Sequence, residues 1–179
     1  NLTQDHLDYH GTMEAYFEAK AQLFTRLLPE DGIAVVNLDG ARGSDMAELA
    51  LGRGLRVLTV GKGQGADLQI AATRPDATGQ EVRYLWQGRA FQTRLGLIGA
   101  FQAENVAVAA GVAIAAGDAP EAVLGVLPRL TGVRGRMQLA ATRRNGAAVY
   151  VDYAHTPDAL ETALKALRPH VMGRIVVVF

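Results

Sequence analysis

Two short apolar runs joined by a short helical pattern constrain the fold of this chain more than any other feature. Ile33–Asn37 (IAVVN) and Leu55–Val60 (LRVLTV) are rich in β-branched residues and have the length of buried strands. Ser44–Leu51, between them, has the composition of a short helix. A strand, a helix and a second strand in this order favour parallel pairing, because parallel strands need a crossover connection. The sequence therefore predicts an α/β fold.

A longer helical pattern precedes this unit. Met13–Leu28 carries apolar residues at the i, i+3, i+4, i+7 spacing of an amphipathic helix, with Thr12 placed to cap its first turn. Lys20 falls on the apolar stripe, where lysine is uncommon. Either its stem lies along apolar surface with the ammonium in water, or the amine is buried. Burial favours the neutral, nucleophilic amine, which carbon dioxide would convert into an anionic carbamate suited to a magnesium site.

An alternating pattern after the second strand predicts an antiparallel section. Val82, Tyr84 and Trp86 alternate with polar residues, and Gln87-Gly88 is a turn signal. Ala90–Leu95 is therefore predicted to pair with the preceding run as a hairpin.

Two helices are predicted next. Phe101–Ala116 is rich in small residues, and Asp118-Ala-Pro-Glu121 resembles a capping box that opens a further helix ending near Leu130. The string TGVRG at Thr131–Gly135 then interrupts the pattern. A domain boundary is predicted near Gly132, which divides the chain into residues 1–131 and 132–179.

The second unit has a β-β-α-β pattern. Its predicted elements are Met137–Thr142, a turn at Asn145-Gly146, Ala147–Asp152, a helix over Pro157–Arg168 and a strand over Arg174–Phe179. No turn or helix follows that last strand within the sequence, so this unit is expected to be the first part of a domain.

Composition excludes several classes of function. The 179 residues carry 18 basic and 18 acidic side chains, so no net charge favours nucleic acid or an anionic membrane. The absence of cysteine excludes disulfides and thiolate metal sites, and fits a cytoplasmic location. The longest alanine- and valine-rich run, Asn105–Ala116, is too short to span a bilayer.

Four potential metal ligands or proton carriers stand just before the first helix. They are Asp5, His6, Asp8 and His10. A zinc site of the HExxH type is disfavoured because the central glutamate is missing and Gly11 follows directly. The alternative is a set of solvated polar residues at a helix entry.

Four strings in fixed order carry a resemblance to a known family. They are DHLDYHG at Asp5–Gly11 followed by Ala19-Lys20, IGAFQAEN at Ile98–Asn105, VRGRM at Val133–Met137 and VDYAHTPDAL at Val151–Leu160. Together they resemble the Mur ligases over essentially the whole chain, and the YAHTPD form resembles the branch that adds the third residue of the peptidoglycan stem peptide. The resemblance implies a central ATP-binding domain, with a mixed sheet and helices, followed by the start of a Rossmann-like C-terminal domain.

The resemblance also implies roles for individual residues. His6 would bind Mg²⁺, and Lys20 would be the carbamoylated lysine. Asn105 would contact the adenine of ATP and Arg136 its phosphates. Asp152 would face the ribose, at the carboxyl end of a strand where ligands of α/β folds gather. Tyr153 and His155 would lie in the loop that follows.

Two departures from the family pattern accompany the resemblance. Gly40 stands where the family usually has a second acidic residue after Asp39. The phosphate loop GxxxxGK[ST] is not in the sequence, and Gly61–Gly65 lacks its spacing and is predicted as a turn. The polypeptide is therefore expected to begin after the phosphate loop and not to ligate by itself.

The resemblance implies an ATP-dependent ligase that joins a free amino acid to a UDP-N-acetylmuramoyl-dipeptide through an acyl phosphate. Alternatives are another step of the same superfamily, including folylpolyglutamate synthesis, and a non-catalytic nucleotide-binding or interaction module. The sequence does not indicate whether the amino acid is diaminopimelate or lysine, nor the oligomeric state.

Overall fold

The computed structural model describes residues 10–178 and contains two sheets. Its helices and strands are α1 (Met13–Gln22), β1 (Ile33–Asn37), α2 (Gly43–Gly52), β2 (Arg56–Gly61), β3 (Leu68–Asp76), β4 (Gly79–Trp86), β5 (Arg89–Leu95), α3 (Ala100–Ala115), α4 (Pro120–Val126), β6 (Gln138–Thr142), β7 (Ala148–Val151) and α5 (Pro157–Leu167). A π-helical turn follows α1, and 3-10 turns follow α4 and α5.

The first sheet has the order β1-β2-β3-β4-β5. The predicted β1-α2-β2 unit is confirmed, and β1 pairs with β2 in parallel. Gly43 lets α2 begin close to the end of β1, because a Cβ there would lie 2.3 Å from the carbonyl oxygen of Asn37. Strand β3, which the sequence did not predict, adds a third parallel strand through a short pairing with β2.

The second half of the sheet is antiparallel, as predicted. β4 and β5 form a hairpin whose turn residues, Gln87 and Gly88, both have positive φ, the geometry of a type I′ turn. β3 pairs antiparallel with β4 and has a register irregularity between Ile70 and Ala72. We call the five strands and helices α1–α4 the five-stranded unit.

Helices cover both faces of this sheet. Alternate residues of β1 enter two hydrophobic clusters: Ala34 and Val36 pack with α1 and α2, whereas Val35 packs against the cluster that contains α3 and α4. Helix α3 approaches the sheet at Gly111, where a Cβ would lie 3.0 Å from Val35 Cγ1. The result is a three-layer α/β/α arrangement.

A buried tyrosine ties α3 to the antiparallel strands. Tyr84 of β4 is fully buried, and its hydroxyl donates to the carbonyl oxygen of Ala103 at 3.0 Å. Burial raises the pKa of Tyr84 above its usual range, so the phenol stays a neutral donor. This bond fixes the first turn of α3 relative to β4.

The first helix differs from its prediction. Thr12 caps α1 as expected, with its hydroxyl accepting from the Ala15 amide at 3.1 Å. The buried face, however, consists of Tyr16, Phe17 and Ala21, and Lys20 is exposed. The predicted stripe is confirmed at Tyr16 and Phe17, and Phe24 and Leu28 pack against the same cluster. It is wrong at Met13, Leu23 and Leu27, which are exposed, and the last two line an open cavity beside β1.

Two other predictions at helix and strand ends were wrong. The N-cap of α4 is Ala119 without a side-chain hydrogen bond, so Asp118 forms no capping box. Residues 174–178 form no strand, because no strand of the described chain lies beside them to supply hydrogen bonds. Residue 179 lies outside the described range.

Among residues 10–178, the second sheet consists of the antiparallel pair β6 and β7. Thr156 caps α5, accepting from the Ala159 amide at 3.3 Å, and Pro157 occupies the first turn. We call these elements, with the 3-10 turn Arg168–His170, the β6–β7–α5 unit. No helix within residues 10–178 is long and apolar enough to cross a membrane.

Candidate functional site

The loop between β7 and α5 is organised by the carboxylate of Asp152. One oxygen accepts from the amide of Met137 and the other from the amide of Ala154, each at 2.8 Å. Met137 is buried and has φ of 47°, in the left-handed region. Asp152 therefore holds together two corners of the chain, one before β6 and one after β7.

Three further predicted residues gather around these corners. Arg136 precedes Met137, and its guanidinium carbon lies 5.7 Å from the centroid of the Tyr153 ring. The Tyr153 and His155 rings are tilted at 60° with centroids 4.9 Å apart. His155 Nδ1 lies 2.8 Å from the carbonyl oxygen of Tyr153, so Nδ1 carries the proton and donates.

This cluster offers a cation, two exposed rings and a carboxylate on one surface. Arg136, Tyr153 and His155 are exposed, and Asp152 is half-buried. Such a set suits a ligand with phosphates and a polar, planar or sugar group. Because the Asp152 oxygens each retain a free lone pair beside their backbone bonds, the carboxylate can also accept from a hydroxyl.

Asn105 lies in the second turn of α3 and is exposed. Its side-chain amide makes no hydrogen bond within residues 10–178, so both its donor and its acceptor face solvent. The neighbouring Glu104 is engaged instead: its Oε1 lies 2.5 Å from Lys62 Nζ. This hydrogen bond holds the pKa of Lys62 above its usual value.

Lys62 connects α3 to the carboxyl ends of two parallel strands. It follows β2, and its backbone amide lies 3.0 Å from both carboxylate oxygens of Asp39, which follows β1. Sequence reasoning gave Asp39, Lys62 and Glu104 no role. The position of Asp39 and Lys62 at the carboxyl ends of adjacent parallel strands was an available signal, whereas Glu104 lies on α3 and had none. Gly61 ends β2, and residues 62–65 form the predicted turn.

Lys20 lines a cavity of about 400 Å³ between α1 and β1. Its ammonium lies 4.9 Å from the centroid of the Tyr16 ring. Asn37 and Arg42 supply further polar groups to the lining, and Arg42 pairs with Glu14 at 3.1 Å. Of the two alternatives predicted for Lys20, the buried amine is wrong, because Lys20 is exposed.

His6, Asp5 and Asp8 lie outside the described residues. Within residues 10–178, no group of three or more His, Asp or Glu side chains is arranged to hold a metal ion. His10 stacks on Tyr16, with ring centroids 4.9 Å apart.

The structure thus brings together four of the predicted residues, Arg136, Asp152, Tyr153 and His155. Asn105 and Lys20 lie in the five-stranded unit, and no hydrogen bond or ring contact in the described part of the chain joins either of them to that cluster.

Comparison with known proteins identifies both parts of the chain. Residues 1–113 match the Mur ligase middle domain, and residues 135–179 match the Mur ligase glutamate ligase domain. A UDP-N-acetylmuramoyl-L-alanyl-D-glutamate–2,6-diaminopimelate ligase of Caulobacter vibrioides is 46% identical over the whole chain, which covers 37% of that protein. The corresponding ligase of Zymomonas mobilis is 41% identical, again with 37% of its length covered.

Solved structures agree in fold. A UDP-N-acetylmuramoyl-L-alanyl-D-glutamate–2,6-diaminopimelate ligase matches with a TM-score of 0.77 and 38% identity, over 94% of this chain and 34% of that one. MurF from Acinetobacter baumannii matches with a TM-score of 0.81 at 20% identity, over 96% of this chain and 36% of that one. The chain thus spans little more than a third of the proteins it matches.

Proposed function

Because the chain belongs to the Mur ligase family, we propose that it forms part of a cytoplasmic ATP-dependent ligase that adds diaminopimelate to UDP-N-acetylmuramoyl-L-alanyl-D-glutamate in peptidoglycan synthesis. The observation that carries this proposal is 46% identity, along all 179 residues, to a relative with that name. The active enzyme is proposed to be a longer protein that also contains a phosphate loop.

The chemistry of three described residues supports the proposed ATP site. The exposed amide of Asn105 presents one donor and one acceptor, as the edge of adenine requires. Asp152, held by two backbone amides, offers a fixed acceptor for the ribose hydroxyls. Arg136 is the nearby cation for the phosphates, and its approach to Tyr153 limits where its guanidinium can lie.

In the proposed reaction a carboxylate oxygen of the UDP-linked substrate attacks the γ-phosphorus of ATP. The bond to the β-γ bridging oxygen breaks, ADP leaves, and an acyl phosphate forms. The amine of diaminopimelate then attacks the acyl carbon, loses a proton and expels inorganic phosphate. Negative charge builds up at the phosphoryl oxygens in the first step, and a fixed guanidinium such as that of Arg136 stabilises it.

Mg²⁺ would be held by His6 and by a carbamate on Lys20, and it would supply charge neutralisation at the phosphates. The exposed amine of Lys20 lines a cavity of about 400 Å³ and is accessible to carbon dioxide. A carbamate there would replace a cation by an anion and remove its repulsion of the metal.

The test uses the full-length protein and measures phosphate release with ATP, each candidate nucleotide sugar and each candidate amino acid. We expect release only when UDP-N-acetylmuramoyl-L-alanyl-D-glutamate and diaminopimelate are both present. Preference for lysine would show that the added amino acid is lysine rather than diaminopimelate. Activity with another acceptor would assign the protein to a different step of the same superfamily. ATP binding without turnover on any combination would indicate a nucleotide-binding module instead.

A second experiment addresses Lys20. Lys20→Ala in the full-length protein should abolish ligation, and formate or acetate should restore part of it by supplying the missing carboxylate. Lys165→Ala is the matched control, because Lys165 is an exposed helical lysine that pairs with Glu161. A fully active Lys20→Ala protein that does not respond to added carboxylate would remove the carbamate from the mechanism.

A further inference from the structure

His170 is a buried histidine whose ring nitrogens both bind the five-stranded unit. It ends the 3-10 turn after α5, and its side chain is enclosed. Nε2 lies 3.0 Å from the backbone nitrogen of Gly99, and Nδ1 lies 2.6 Å from the carbonyl oxygen of Asp76. Within residues 10–178, these are the two hydrogen bonds that join the β6–β7–α5 unit to the five-stranded unit.

The two partners determine the chemical state of the ring. A carbonyl oxygen can only accept, so Nδ1 must carry the proton toward Asp76. The Gly99 amide can only donate, so Nε2 must be bare. Only the neutral Nδ1–H tautomer makes both bonds, and any other state would leave a buried polar group unsatisfied.

Each partner is itself held by the five-stranded unit. The carbonyl oxygen of Gly99 accepts from buried Gln80 Nε2 at 2.8 Å. The side chain of Asp76 pairs with Arg94 of β5, at 2.6 Å and 3.0 Å, and accepts from the Thr78 amide at 2.8 Å. His170 therefore binds two fixed points rather than two flexible loops.

Gly99 is also where the two units come into close contact. It precedes α3 with φ of 101°, which favours glycine. A Cβ there would lie 3.2 Å from the Cβ of Ala166 in α5. The entry to α3 is thus enclosed by α5 on one side and bonded to His170 by its amide.

Helix α3 continues from this contact to Asn105, and the β6–β7–α5 unit carries Asp152. We propose that His170 is a positioning residue that fixes the β6–β7–α5 unit against the start of α3, so that Asn105 and Asp152 keep the relative placement needed to bind one nucleotide. This inference rests on the ATP site proposed above. Without the two bonds, the units sample other relative placements. The apparent affinity for nucleotide then falls in proportion to the fraction of molecules in which the units are correctly placed for binding.

The test compares His170→Leu, which removes both bonds, with His170→Gln, whose amide supplies one donor and one acceptor. Arg89→Gln is the control, because Arg89 pairs with Glu121 within the five-stranded unit. In the full-length protein, His170→Leu should raise KM for ATP about tenfold and leave KM for the UDP-linked substrate unchanged. His170→Gln should recover most of the loss, and Arg89→Gln should match the wild type. Unchanged KM for ATP in His170→Leu would overturn the proposal.

Two measurements do not depend on activity. These 179 residues contain no cysteine, so spin labels at Arg83→Cys and Thr162→Cys in the full-length protein, with any cysteine elsewhere replaced, report the distance between the units. Both positions are exposed, and one lies in each unit. The distribution should be narrow in the wild type and in His170→Gln but broad in His170→Leu. Equal distributions in all three would overturn the proposal even if the enzyme were inactive for other reasons.

Nitrogen NMR of the wild-type protein gives a test without substitutions. This test can be carried out even if His170→Leu fails to fold. His170 should show a protonated Nδ1 and a bare Nε2 at neutral pH. The Nε2–H tautomer or an imidazolium there would overturn the proposal. A correct tautomer and a narrow distance distribution in a protein that binds no ATP would instead refute the proposed function and leave the contact standing.

Discussion

Replacing Asp152 should loosen two corners of the chain before any ligand is considered. Its carboxylate accepts from the Met137 and Ala154 amides at 2.8 Å. Hydrogen bonds to a charged group contribute about 1.5–3 kcal/mol each, and water can replace part of this at a half-buried position. Met137 also gives up about 1–2 kcal/mol by staying left-handed, which relaxes once its amide is released. We expect Asp152→Ala to lower local stability by about 2–3 kcal/mol, and Asp152→Asn, which keeps one acceptor, by about 1 kcal/mol.

Hydrogen exchange of individual amides measures this directly. A loss of about 2–3 kcal/mol corresponds to roughly 30- to 150-fold faster exchange of the Met137 and Ala154 amides in Asp152→Ala. In Asp152→Asn, one of the two amides should exchange about fivefold faster than in the wild type. Asp158→Asn is the control, because Asp158 is an exposed acid in the first turn of α5 and touches neither amide. Unchanged protection of both amides in Asp152→Ala would refute the reasoning.

Two further predictions concern stability. Gly111→Ala should destabilise by about 1 kcal/mol despite better helix propensity, because its Cβ would crowd the sheet at 3.0 Å, whereas Gly125→Ala, in open space, should stabilise by about 0.5–1 kcal/mol in urea unfolding. The Arg94 guanidinium lowers the pKa of the Asp76 carboxyl below its unfolded value. The pair therefore stabilises the fold at pH values above the unfolded pKa of about 3.9, and this contribution to stability is lost as the pH falls further. The urea concentration at the unfolding midpoint should therefore fall less on acidification in Arg94→Gln than in the wild type. An equal fall in the two proteins would contradict this prediction.

Elements with strong local signals were predicted correctly. β1 and β2 are β-branched runs with a helix between them, and the Gln87-Gly88 turn has the left-handed backbone that a two-residue hairpin requires. Strand β3 was missed because most of it extends beyond the core: its residues from 71 onward are exposed, so no alternation of apolar residues marks them.

Predictions that depended on a neighbour were less reliable. Periodicity correctly indicated a helix at α1, but it could not show that Lys20 faces a cavity rather than a packed surface. Similarly, residues 174–178 have strand composition, yet a strand forms only where another supplies hydrogen bonds.

In the candidate site, too, local features were predicted and long-range contacts were not. Arg136, Asp152 and His155 were identified from motifs close together in sequence, and the structure brings them together. The contacts that fix the surroundings are distant in sequence: Lys62 and Glu104 are 42 residues apart, and Gly99 and His170 are 71 apart. No local pattern carries that information.

The central claim is that this chain supplies two sides of one ATP site. Photolabelling of the full-length protein with an azidoadenosine analogue of ATP tests it, with the labelled peptides identified by mass spectrometry. We expect labelling near Asn105 on α3 and in the Asp152–His155 loop, with both labels suppressed together by ATP. Specific, ATP-suppressed labelling confined to other parts of the protein would contradict it.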